Sequence, residues 1–151
     1  MTSTVIAPSL YDRDFSLWVE DVAARLKARD FELLDIENLI EEIESLGRTE
    51  RHELKNRLDV LLSHILKRVY VPIQNDRNGW ERTIREQRKQ IKRRLADSPS
   101  LKNYLPEIFD EILEDVIAEL REDYPQVQFP DTWQFSRDVD AILSEAFWEN
   151  I

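Results

Sequence analysis

Cysteine is absent from the 151 residues, so disulfides, thiolate metal sites and cysteine nucleophiles are excluded. Glycine occurs only twice, against a usual share of about 7%. Few positions are free to take positive φ, so hairpin-rich β folds and glycine-rich phosphate loops are not expected. Histidine occurs only at His52 and His64, which limits imidazole chemistry to two candidates. No apolar run approaches the ~18 residues of a membrane span. Met1–Leu10 lacks the basic start and apolar stretch of a secretory signal. The expectation is a protein that uses no membrane and works in the cytoplasm. No serine has a nucleophile-elbow context and no Gly-x-x-x-x-Gly-Lys loop exists. The sequence therefore names no enzyme class and no cofactor.

Apolar residues with helical periodicity fill most of the chain. The composition, 42% hydrophobic and 34% charged, suits one domain of the common size of roughly 100–150 residues. Phe15, Trp18, Val22 and Leu26 predict a helix over Asp12–Ala28, capped by Asp12 or Asp14. From a cap at Asp35, the residues Ile36, Ile40, Ile43, Gly47, Leu54, Leu58, Leu61 and Ile65 form one stripe of period near 3.5. The phase holds through Gly47, which favours one long helix over about 35–70, ended by Pro72. A kink or break at Gly47 is the alternative. A glycine there costs about 1 kcal/mol relative to alanine, and close approach of another helix is the expected compensation. Pro72–Gly79 reads as the main surface loop. Trp80, Ile84, Ile91 and Leu95 mark a further helix. A short one opens at Ser98-Pro99, and Pro106 starts a strongly apolar helix that ends near Asp123. Pro125–Pro130 reads as an extended connector without a strand. Ser136 is expected to cap a last helix carrying Val139, Ile142, Leu143 and Phe147. The fold expected is an all-α, single-domain helical bundle of five or six helices, with residues 1–10 as a loose N-terminal arm.

Charge is uneven. The formal net charge is −10, yet Trp80–Leu95 holds seven Lys and Arg residues against two Glu residues. Acidic blocks lie at Asp30–Leu46 and Pro106–Asp123. The basic helix has two readings. Arg82, Arg85, Lys89 and Lys92 point outward and suit a nucleic-acid backbone, while Arg88 falls within the apolar line and points partly inward. In the second reading the acidic blocks neutralise the helix, and Glu81 pairs with Arg85 one turn on. A chain this acidic is repelled by nucleic acid, so the second reading is preferred.

The acidic run Glu41, Glu42 and Glu44 invites a metal, but no Glu-x-x-His pair supports one. No metal site is expected; a solvated helix face accounts for the run. His64 borders the apolar stripe and fits a half-buried histidine bonded to a carbonyl or carboxylate better than a general base. His52 reads as surface. Trp18 and Trp80 fit core faces. Trp133 and Trp148 fit either core or an exposed aromatic patch.

Several segments resemble a known family: Tyr11-x-x-Asp14-Phe15-x-x-Trp18, the run Asp35–Arg48, Leu61-Leu62-x-His64-x-Leu66-Lys67, Trp80-x-x-Thr83-Ile84-x-Glu86-Gln87-Arg88, and Ser98-Pro99-Ser100-Leu101. The chain is similar in these to the bacterial "domain of unknown function twenty-nine" family. The resemblance implies a small, cytoplasmic, all-helical protein and implies no activity. Glu41, Glu44, His64, Lys67 and Arg88 form the candidate functional cluster, either a site or a set of fold-defining contacts. The leading functional reading is a non-catalytic interaction module with a protein partner or a second copy of itself. Nucleic-acid association through Arg82, Arg85, Lys89 and Lys92 is the alternative, and a cryptic site on the long helix comes third.

Overall fold

The computed structural model describes residues 9–149. The expected N-terminal arm lies outside them except for Ser9 and Leu10. Helices make up 77% of the structure, and no strand occurs among the described residues. Six α-helices follow in order: α1 (Leu10–Arg13), α2 (Phe15–Lys27), α3 (Ile36–Tyr70), α4 (Arg77–Asp97), α5 (Tyr104–Asp123) and α6 (Val139–Ile142). The chain divides into two compact units after Arg48.

In the first unit, the single helix expected over Asp12–Ala28 is split. Asp14 is extended (φ −153°, ψ 91°), and its carboxylate accepts from the Leu17 N–H at 3.0 Å, which starts α2 afresh. Arg29 has φ 61°, a left-handed residue that ends the helix. Asp35 then leads into α3, accepting from Asn38 Nδ2 at 2.7 Å and Trp18 Nε1 at 3.1 Å. Tyr11, Phe15 and Trp18 pack ring on ring, with centroids 4.9–5.8 Å apart. The Tyr11 hydroxyl donates to Glu42. Trp18 and Val22 are the buried side chains of α1 and α2.

Helix α3 is unbroken through Gly47, and neither glycine has a positive φ. The expected long helix is therefore present. Its apolar stripe changes character along its length. Leu54, Leu58, Leu61 and Ile65 are fully buried, whereas Ile36, Ile40 and Ile43 are exposed.

The second unit holds the core. Its buried cluster runs from Leu54 to Phe147. It includes all of the apolar face expected on α5, from Ile108 to Leu120. The expected Pro72–Gly79 loop is shorter than predicted. A 3-10 turn at Gln74–Asp76 leads directly into α4 at Arg77, so Asn78 and Gly79 are already helical. Pro106 sits in the first turn of α5 rather than starting it, where its missing N–H has no partner to lose. A 3-10 turn over Pro99–Asn103 takes the place of the expected short helix, and Ser98 makes no side-chain cap. The expected C-terminal helix is only one turn long. Asp138, not Ser136, is its N-cap residue, while Ser136 Oγ accepts from the Asp138 N–H at 3.2 Å. Just past its end, Arg88 donates to the carbonyls of Ile142 and Glu145, two acceptors that the helix's own N–H groups leave open. Trp133 and Trp148 pack against the core. Trp133 makes edge contacts with Phe109, Phe135 and Phe147.

Candidate interaction surfaces

The first unit presents an unusual face. Among the described residues, eleven large apolar side chains are exposed, and ten of them lie between Phe15 and Leu46. Ile40 is 51% exposed, Ile43 60% and Leu33 67%. The cause lies in which face of α3 turns inward. Positions 35, 38 and 42 serve the polar contacts to Trp18 and Tyr11. Ile36, Ile40 and Ile43 are then displaced to the outside by the 100° step of the helix. Glu37, Glu41 and Glu44 follow each of these isoleucines by one residue and edge the stripe. Glu41 and Glu44 meet Arg48 at 2.9 and 3.8 Å. Their exposure leaves these pairs worth little.

Hydrogen bonds set the ionisation in this unit. The bond to Glu42 pushes the Tyr11 phenol up to about 12. Asn38 and Trp18 hold Asp35 below the usual carboxylate value against the opposing effect of burial.

The second surface lies on α4. Arg88 is 9% exposed, as the spacing of Ile84 and Ile91 predicts. Its guanidinium donates to the Ile142 carbonyl at 2.9 Å and the Glu145 carbonyl at 2.6 Å. Desolvation pushes its pKa down, while Glu145 acts in the opposite sense. It ties the C-terminal segment to α4. Arg82, Arg85, Lys89, Lys92 and Arg93 are exposed, and none of them has an ion-pair partner among the described residues. Within the second unit this corrects the expectation that the acidic segment Pro106–Asp123 pairs with the helix. Within the second unit, Arg94 alone of the seven bases is paired, to Glu53 at 2.7 Å. Glu81 meets Arg68 rather than Arg85, and the α5 acids Asp110 and Glu111 meet Arg137 and Lys55. Four of these cations, Arg85, Lys89, Lys92 and Arg93, border with Arg88 a groove of about 540 Å³ beside Leu143 and Ser144. A further hollow of about 490 Å³ includes Leu95, Ala96 and Val139. Leu143 lines both, so the basic wall adjoins a stretch of apolar side chains that also carries Lys102 and Asp140.

The remaining candidates have local roles. His64 is half-buried, and its Nδ1–H donates to the Val60 carbonyl at 2.7 Å. Burial pushes its pKa down, the carbonyl raises it, and Lys67 lowers it further. No hydrogen bond or ion pair joins Arg88 to His64 or Lys67 among the described residues. Glu41 and Glu44 belong to the first unit and pair with Arg48. His52 is exposed. No three His, Asp or Glu side chains are grouped to hold a metal among the described residues. Asp59 is pushed up by burial and by Glu119 and Asp115, a strain in charge rather than a ligand set. A cavity of about 290 Å³ lies over Leu105, Phe109 and Ile142. Its two charged groups, Asp110 and Arg137, already satisfy each other. No described helix is long and apolar enough to cross a membrane.

The exposed apolar face and the unpaired cations were missed by periodicity. A period shows that a stripe exists, not what covers it. A family model described as a domain of unknown function, DUF29, matches residues 10–148. No curated protein and no solved structure matches the chain.

Proposed function

The chain belongs to the DUF29 family, and we propose that this member is a non-catalytic helical interaction module that associates with a second copy of itself. The observation that carries the reading is the concentration of exposed apolar side chains on the first unit. Ile36, Ile40 and Ile43 line one exposed stripe of α3, and contiguous exposed apolar surface commonly marks an interaction site. The forty described residues of this unit, in α1, α2 and the start of α3, hold two buried side chains and cannot supply a core of their own, and chains of that size are commonly completed by oligomerisation. Local roles for Arg88, His64 and Glu41 support a reading without catalysis.

Light scattering on a sizing column tests it. The wild type is expected to elute at twice its 18.0 kDa at micromolar concentration. Ile40→Asp combined with Ile43→Asp should give the monomer without loss of helix. A wild type that stays monomeric at 100 μM contradicts the proposal (a concentration of that order corresponds to roughly 5 kcal/mol of association).

A second reading has a specific observation in its favour. The exposed cations Arg82, Arg85, Lys89 and Lys92 have no ion-pair partners among the described residues, which leaves them open to phosphates. Such binding would weaken steeply with salt, by a slope near −0.9 per phosphate on duplex DNA. The net charge of −10 opposes it.

A further inference from the structure

The apolar face of the first unit is acidic, and this bears on what it docks against. Residues 9–48 hold eleven Asp and Glu against five Lys and Arg, a net −6. Two such faces laid together would set Glu37, Glu41 and Glu44 against the same residues of the other copy, at a cost in repulsion. A basic surface with an apolar floor has no such cost. The second unit provides one. Its wall is Arg85, Lys89, Lys92 and Arg93 beside Leu143, and the adjoining hollow adds Leu95, Ala96 and Val139 together with Lys102 and Asp140.

The spacing also agrees. Glu37, Glu41 and Glu44 recur at steps of four and three. Arg85, Lys89 and Lys92 recur at four and three as well. On helices, both sets form straight lines of charge with the same rise. Each glutamate follows an exposed isoleucine by one position, and each of these cations follows a residue of the inward line Ile84, Arg88 and Ile91 by one position. Lys and Arg stems add apolar surface beneath their charges.

We propose that the groove along α4 receives residues 36–46 of a second copy, carboxylates against cations and isoleucines over the apolar floor. Each copy offers one arm and one groove. Exchange between two copies uses both pairs and closes as a two-fold dimer. The inference rests on the self-association proposed above and names its receiving surface. Nucleic acid is the competing occupant of the same cations.

A charge swap tests it on the full chain. Variant one carries Arg85→Glu, Lys89→Glu and Lys92→Glu. Variant two carries Glu37→Lys, Glu41→Lys and Glu44→Lys. Each alone is expected to weaken its own dimer at least tenfold by analytical ultracentrifugation, with the melting curve monitoring the fold. Mixed in equal amounts, they should restore a dimer of near wild-type affinity, because each reversed arm meets a reversed groove. The mixture reads out pairing even if one variant is less stable alone. A wild-type dimer that persists in variant one overturns the inference and leaves self-association standing. So does a mixture that forms no heterodimer. A wild-type monomer overturns both. Salt-sensitive binding of a labelled 20-base-pair duplex by the wild type, lost in variant one, assigns the groove to nucleic acid and also overturns the inference.

Discussion

The two units use the same raw material in opposite ways. From Thr49 onward, apolar residues face inward and the core is closed from Leu54 to Phe147. Up to Arg48, Trp18 and Val22 are the buried side chains among the described residues, and the inward positions of α3 are polar, joined as Trp18–Asp35–Asn38 and Tyr11–Glu42. Ile36, Ile40, Ile43 and Leu46 face out. One continuous helix carries both arrangements on one stripe. Identical periodicity can therefore serve a core at one end of a helix and a surface at the other. What decides is the set of side chains on the neighbouring helical positions.

The sharpest contrast is between truncations at equivalent positions of that stripe. Leu61→Ala should lose about 2–5 kcal/mol of unfolding free energy, as buried leucines do. Ile40→Ala, on the same stripe, should lose less than about 1 kcal/mol at a dilution where the chain is monomeric. Urea denaturation measures both. Equal losses would show that the outward face is covered within the monomer, and the contrast would fall.

Arg88→Ala should follow, losing about 2–4 kcal/mol. Its charge-assisted bonds to Ile142 and Glu145 vanish, leaving two carbonyls without their donor. Arg88→Lys should recover part of the loss, because one ammonium reaches fewer acceptors than a guanidinium fork. A neutral Arg88→Ala would mean that the C-terminal segment holds without this strap.

These positions also show how much was legible. The long helix could be read from steps of four and three that persist through Gly47. Arg88 could be assigned inward because Ile84 and Ile91 bracket it. His64 could be placed half-buried at a carbonyl or carboxylate from its position beside the stripe, and the Val60 carbonyl is the acceptor. Three features could not be read. The anchoring of the segment after α6 depends on a guanidinium 54 residues away in sequence from Ile142. The freedom of Arg82, Arg85, Lys89 and Lys92 depends on which way the α5 carboxylates turn. The outward face of residues 36–46 depends on Asp35, Asn38 and Glu42 winning the inner positions. Each is a long-range packing outcome, and local spacing carries no record of it.

Gly79 supplies a smaller test. It lies in the first turn of α4, with open space where a Cβ would be. Gly79→Ala should raise stability by up to about 1 kcal/mol through helix propensity. A loss would mean that the turn has a contact requiring glycine.

The smallest effect concerns pH. His64 has a pKa lowered by burial, so the unfolded chain binds more protons near its ordinary value of 6.5. Stability is then full above that value and declines as pH falls below it. The melting temperature should drop between pH 7 and 5.5, and His64→Gln should flatten that dependence. An unchanged slope in the variant would assign the decline to other groups.

Hydrogen exchange at two protein concentrations tests the central claim most directly, because it reads both units in one molecule. The account predicts that amides within residues 36–46 gain protection as concentration rises, together with those of α4 around Arg85–Lys92. Amides of α5 should exchange at the same rate throughout. Exchange of residues 36–46 that is independent of concentration would contradict it, because their outward apolar face would then have no second copy to meet.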